Sequence, residues 1–169
     1  MIAFLDFEAS SLDRGSYPIE VGWATPSQQD GESYLILPHP DWTDWDPAAQ
    51  AVHGISRQAL FTHGMAGPAV LARLSRSLAG LTVYSDAPAE DGYWLERLCQ
   101  ACGHPQPFLL HDVGPLLQEM AKATGQDLDA ARLEVGRQFP TRHRAAPDAT
   151  FLRALWTRLG GENNLLVEI

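Results

Sequence analysis

The chain opens on a nearly continuous apolar run, residues 2–8 (IAFLDFE), short enough for a strand and too short for a helix. Two further runs, 18–25 (PIEVGWAT) and 32–37 (ESYLIL), flank a Pro, Ser, Gln, Asp and Gly turn at 26–31, which predicts three strands joined as a meander. Residues 38–67 are rich in Pro, Asp, Trp and Gly and predict a long connection with short helices at 47–52 and 56–60. The pattern then alternates. Val70, Leu71, Leu74 and Leu78 recur at helical spacing within 69–78, and 81–84 reads as a strand. A helix over 90–102, a short strand at 108–111, and helices over 113–123, 128–139 and 147–159 complete the chain. Three strands followed by alternating helices and strands predict an α/β fold: one mixed sheet of about five strands with helices on its faces. No repeat, low-complexity tract or interdomain linker interrupts residues 1–169, which read as a single domain.

Several acids fall where core residues belong. Side chains two apart on a strand share a face, so Asp6 and Glu8 project to the side of Ile2 and Phe4. Two such carboxylates at the end of a buried strand repel each other and lose hydration, which raises their pKa values or demands a cation; the alternative places both just beyond the strand in solvent. In the 90–102 helix, Asp91 leads a stripe of Trp94, Leu95, Leu98 and Cys102, although a first-turn acid also suits the helix macrodipole. Asp86 and Glu90 are nearby rivals. In the last helix Pro147 suits the first position, and Asp148 shares a stripe with Leu152, Leu155 and Leu159. His143 lies just before it.

Composition narrows the chemistry. The 169 residues are 45% hydrophobic and 20% charged, as expected of a folded globular chain, with a formal net charge of −9. Lys122 is the only lysine, so a broad basic nucleic-acid surface is excluded, and local positive charge falls to arginines such as Arg142 and Arg144 beside His143. No apolar run is long enough for a membrane span and the N-terminus lacks a basic leader, which makes a cytoplasmic protein the expectation. Cys99 and Cys102 have no second pair to complete a zinc site and read as reduced core thiols. The tail at 165–169 (LLVEI) is apolar and packs either on its own domain or on a second copy as a homodimer.

Asp6-Phe7-Glu8 (within DFEASSL), 84–95 (YSDAPAEDGYWL) and 143–148 (HRAAPD) together resemble the three motifs of the DEDDh 3′–5′ exonucleases, which have a ribonuclease-H-like fold. The segment 51–56 (AVHGIS) is similar to one that often precedes the second motif. Ser11 stands where the family commonly has Gly, and Asp86 where it commonly has Asn.

The resemblance implies a hydrolase that releases 5′-mononucleotides from a single-stranded DNA or RNA 3′ end, or from a short oligonucleotide. Asp6, Glu8, Asp91 and Asp148 would hold two Mg²⁺ or Mn²⁺ ions, with Asp86 as the fallback for Asp91 and with His143 as general base. It also implies that Ala9, Ser10 and Leu12 contact the terminal nucleotide; Arg142 and Arg144, which flank His143 in the sequence, are the best candidates for a phosphate-contacting patch. Trp42 and Trp45 either stack bases or pack internally. Other readings are an exonuclease-like domain that binds a nucleic-acid end or a protein without cutting, and a related nuclease that cuts internally.

Overall fold

A computed structural model describes residues 1–28, 30–140 and 143–161. Its elements run β1 (Ile2–Ala9), β2 (Pro18–Ala24), β3 (Glu32–Leu35), α1 (Pro47–His53), α2 (Arg57–His63), α3 (Gly67–Ser77), β4 (Thr82–Ser85), α4 (Pro88–Cys102), β5 (Leu110–Asp112), α5 (Val113–Thr124), α6 (Leu128–Gly136) and α7 (Ala145–Arg158). The strands form one mixed sheet in the order β3-β2-β1-β4-β5. β1 pairs antiparallel with β2 and parallel with β4, so the first strand is central, as its apolar run requires. The expected α/β architecture, with helices on both sheet faces, is the one observed.

Alternation along β1 divides the core in two. Ala3, Leu5 and Phe7, with Ile19, Val21 and Trp23 of β2, pack against Val70, Leu71 and Leu74 of α3 and Leu95 and Leu98 of α4. Phe4 points the other way and joins Leu117 of α5 and Leu152, Leu155 and Trp156 of α7, with Ile2 against the same cluster. Asp6 and Glu8 continue this second face as the strand runs on. The acidic pair therefore begins where the apolar packing beneath α7 stops.

Element boundaries depart from expectation for local reasons. β3 ends at Leu35, and the next residue, Ile36, both donates its N–H to the Ile19 carbonyl of β2 at 2.8 Å and bridges Met65. The last strand spans Leu110–Asp112 rather than 108–111, in register with Val83, Tyr84 and Ser85. α7 begins at Ala145, two residues before Pro147, so the proline occupies the third helical position rather than the first. That position still lies in the opening turn, where a missing N–H leaves no helical hydrogen bond unmade. None of the described helices is long and apolar enough to cross a membrane.

The approach of α7 to the sheet depends on one glycine. Gly22 of β2 pairs with Asp6 of β1, and a Cβ built at Gly22 would lie 2.4 Å from the Ala145 carbonyl carbon and the Ala146 nitrogen. Backbone cannot yield as a flexible side chain can, so Gly22→Ala must push the first turn of α7 off the sheet. We expect a loss of ~1–3 kcal/mol, as for other overpacked cores. Urea unfolding measures it, and a variant within 0.5 kcal/mol of wild type, roughly the scale of ordinary surface substitutions, would show that the contact is not tight.

Candidate active site

The carboxyl end of β1 is where helices from the two faces meet. β4 pairs with β1 only as far as Phe4. Beyond that point the Phe7 N–H donates to Asp91 Oδ1 of α4 at 3.3 Å, and the Ser85 hydroxyl at the end of β4 donates to Asp91 Oδ2. Asp91 is 1% exposed, so the acid at the head of the α4 stripe is folded inward. Asp86 is exposed in the turn between β4 and α4 and contributes to raising the pKa of both Asp6 and Asp91.

Asp6, Glu8 and Asp148 come together from β1 and α7. Each offers a carboxylate oxygen, and the three lie within 4.8 Å of one another. Like charges at that separation, away from water, favour protonation. Burial first, and then the charges of Asp91, Glu8 and Asp148, hold the Asp6 pKa well above the ordinary carboxylate range. Burial, Asp148 and Glu20 push Glu8 up to about 8, with Arg144 opposing them. Asp91 is pushed up to about 7 by burial, against the lowering effect of its Ser85 and Phe7 hydrogen bonds. Asp6 Oδ2 is buried and has no hydrogen-bond partner. An orphaned carboxylate oxygen within an all-oxygen donor set suits a hard divalent cation such as Mg²⁺ or Mn²⁺.

The segment before α7 is held by the acids around it. His143 adopts a left-handed backbone conformation, φ 61°, and its N–H donates to Asp148 Oδ2 at 2.8 Å. The residue itself is exposed. The Arg144 guanidinium forks onto Glu20, with Nε and Nη2 both 2.8 Å from its oxygens. The predicted substrate contact Arg142 and the tail at 165–169 lie outside the described residues.

The turn after β1 is tied down through its serines. The Ser10 and Ser11 hydroxyls both donate to Asp44 Oδ2, at 2.9 and 2.6 Å, and the Tyr17 N–H donates to Ser10 Oγ at 3.1 Å. Ser11, where the family commonly has Gly, thus joins this turn to the long connection before α1. Ala9 and Ser10 are buried, whereas Leu12 is 85% exposed. Leu12 lines a cleft of about 580 Å³ with Arg14, Ser16, Glu90, Tyr93 and Trp94, beside the first turn of α4. Trp42 is buried and stacks on Tyr17 at 5.2 Å, and the Trp45 indole donates to Gln50, so both tryptophans pack internally. Cys99 and Cys102 are free thiols, and burial pushes Cys99 up to about 11.

Three residues around the acids escaped the sequence reading. Asp44 and Ser85 carry no local signal, since their partners are distant in sequence or set by the end of β4. Glu20 does carry one: it interrupts the apolar run of β2, and it is 1% exposed.

No protein-family model matches the chain, and no curated protein does. Solved structures do match in fold. The nuclease domain of 3′hExo, a DEDDh family member bound to rAMP, superposes with a TM-score of 0.70 over 95% of this chain and 92% of that one, at 15% identity. Exonuclease I from Methylocaldum szegediense gives 0.70 over 97% of this chain at 16% identity, and E. coli Exonuclease I in complex with a dA16 oligonucleotide gives 0.68 over 98% at 15%. The chain spans 41% and 43% of those two Exonuclease I chains. The fold is the ribonuclease-H-like fold of the DEDDh exonucleases.

The raised carboxylates make stability depend on pH. Unfolded, Glu8 releases its proton near 4.5, and folded near 8. Between those values the folded state binds more protons than the unfolded state, so metal-free stability falls as pH rises. We expect the melting temperature to drop across that range, and Asp6→Asn to raise metal-free stability at pH 8 by about 1–3 kcal/mol, the scale of a relieved buried polar group. Thermal melts in chelator measure both, and a flat profile would contradict the electrostatics.

Proposed function

We propose that this chain is a metal-dependent 3′–5′ exonuclease that removes 5′-mononucleotides from single-stranded DNA or RNA. The observation that carries the reading is the meeting of Asp6, Glu8 and Asp148 oxygens within 4.8 Å, together with a buried Asp6 oxygen that has no partner among the described residues. Asp6, Glu8, Asp91 and Asp148 would hold two Mg²⁺ or Mn²⁺ ions. When bound, such ions neutralise developing phosphate charge and lower the pKa of water.

The chain's own groups supply the rest. Asp91 is fixed by its bonds from Phe7 and Ser85, outside the group formed by Asp6, Glu8 and Asp148, and is the strongest charge acting on Asp6. His143 accepts the proton of the attacking water on its imidazole, and its backbone bond to Asp148 ties that base to an acid of the cluster. The Ala9 and Ser10 backbone and the Leu12 side chain border the terminal nucleotide, while Arg144, with Arg142 two residues before it in the sequence, is the candidate source of positive charge for the phosphates. Arg144 supplies it from its fork on Glu20. The fold is shared with a 3′-exonuclease that recognises the 3′ end of a histone mRNA stem-loop and with Exonuclease I bound to DNA, which supports a nucleic-acid 3′ end as substrate without separating RNA from DNA.

Matched DNA and RNA oligonucleotides, 5′-labelled and incubated with Mn²⁺, test the reading. We expect stepwise shortening from the 3′ end, abolished by chelator and lowered at least about 10³-fold in Asp6→Ala. His143→Ala should lower kcat by about 10²–10⁴-fold, the usual contribution of a general base, with Mn²⁺ affinity unchanged. Intact oligomers after prolonged incubation would sink the enzyme reading and leave a domain that binds ends without cutting.

A further inference from the structure

Resting on the metal-site reading above, we propose that Glu20 is a positioning residue of that site: it holds the third acidic segment in place and keeps Arg144 away from Glu8.

Glu20 lies directly opposite Glu8 across the β1–β2 ladder, on the same sheet face, a pairing in which two carboxylates destabilise each other. Its side chain is 2% exposed, too buried for an uncompensated charge. Every partner it has comes from the chain around α7 or from β3. Oε2 accepts from Arg144 Nε at 2.8 Å and from the Ala145 N–H at 3.1 Å. Oε1 accepts from Arg144 Nη2 at 2.8 Å and from the Ser33 hydroxyl at 3.1 Å.

Arg144 and Ala145 are the N-cap and first residue of α7, and Arg144 makes no capping bond of its own. Glu20 therefore does from the neighbouring strand what a local cap does elsewhere: it satisfies a free N–H and places negative charge at the positive end of the helix. The residues so anchored stand between His143, whose backbone Asp148 holds, and Asp148 itself, which faces Asp6 and Glu8.

The bidentate fork also decides where the arginine's charge rests. Arg144 already acts on the Glu8 carboxylate from its place on Glu20. Removing the Glu20 charge frees the guanidinium to pair with Glu8, where it competes with a cation for the same oxygens. The competitor is part of the chain, so its effective concentration is high.

Mn²⁺ binding measured by calorimetry on wild type, Glu20→Gln and Glu20→Gln/Arg144→Gln, each confirmed folded by circular dichroism, separates this role from general support of the fold. Glu20→Gln should weaken Mn²⁺ binding at least about tenfold, the usual scale for losing an outer partner of a metal ligand, and raise the Mn²⁺ requirement for turnover in parallel. The double variant, in which the amide oxygen at position 20 still accepts from the Ala145 N–H while the competing cation is gone, should recover to within about threefold of wild type. Unchanged binding in Glu20→Gln, or a double variant no better than the single one, would overturn the assignment. A single variant that fails to fold leaves the double variant to decide by the same criterion of recovered affinity. A wild type that binds no Mn²⁺ would overturn the metal site itself and this role with it.

Discussion

Carboxylates that meet in a dry site must take up protons or share a cation, and that requirement governs the upper end of β1. Asp6, Glu8 and Asp148 converge there, with Asp91 close enough to be the strongest charge acting on Asp6. Hydrophobic packing sets the convergence: Phe4 and Trp156 lie 6.0 Å apart below it, and the α7 stripe that buries Phe4 also brings Asp148 to the sheet. The apolar core thus holds together groups that would otherwise separate. Such an arrangement costs stability in the absence of a ligand, which is the usual mark of a site kept for chemistry.

Close approach of α7 makes the arrangement specific. Gly22 leaves room for the helix backbone beside Asp6, and Glu20, two residues earlier on the same face, binds the helix start. The two helices that deliver Asp91 and Asp148, α4 and α7, begin, like α3, without a side-chain cap from their own N-cap residue, whereas α1, α2, α5 and α6 are capped by Asp or Ser. The starts of α4 and α7 both add positive potential where the acids gather, and at α7 Glu20 takes the Ala145 N–H from the neighbouring strand. His143 completes the constraint, since its left-handed backbone is held by the same carboxylate that faces Asp6 and Glu8.

Much of this was legible in the sequence because the signals are local. Alternation places Asp6 and Glu8 on the Ile2 and Phe4 side of β1, and helical spacing puts Asp91 and Asp148 on inward stripes. Pro147 misled the reading of the α7 start because a proline fits anywhere in the opening turn. Roles fixed by distant partners stayed hidden. Nothing near Arg144 in sequence reveals that Glu20, 124 residues away, holds its guanidinium, and nothing near Ser11 reveals Asp44. The tryptophans of the long connection were equally ambiguous, because their burial depends on Tyr17 and Gln50. An acid within an apolar strand, as at Glu20, is the one signal that would have found a hidden partner earlier.

Crystals soaked in Mn²⁺ and measured at the manganese absorption edge test the central claim most directly, because they locate the ions without reference to activity. The account predicts two anomalous peaks within coordination distance of Asp6, one also contacting Glu8 or Asp148 and neither present in Asp6→Asn. Manganese bound elsewhere, or an acidic cluster that stays protonated and empty at millimolar Mn²⁺ and pH 8, would contradict it.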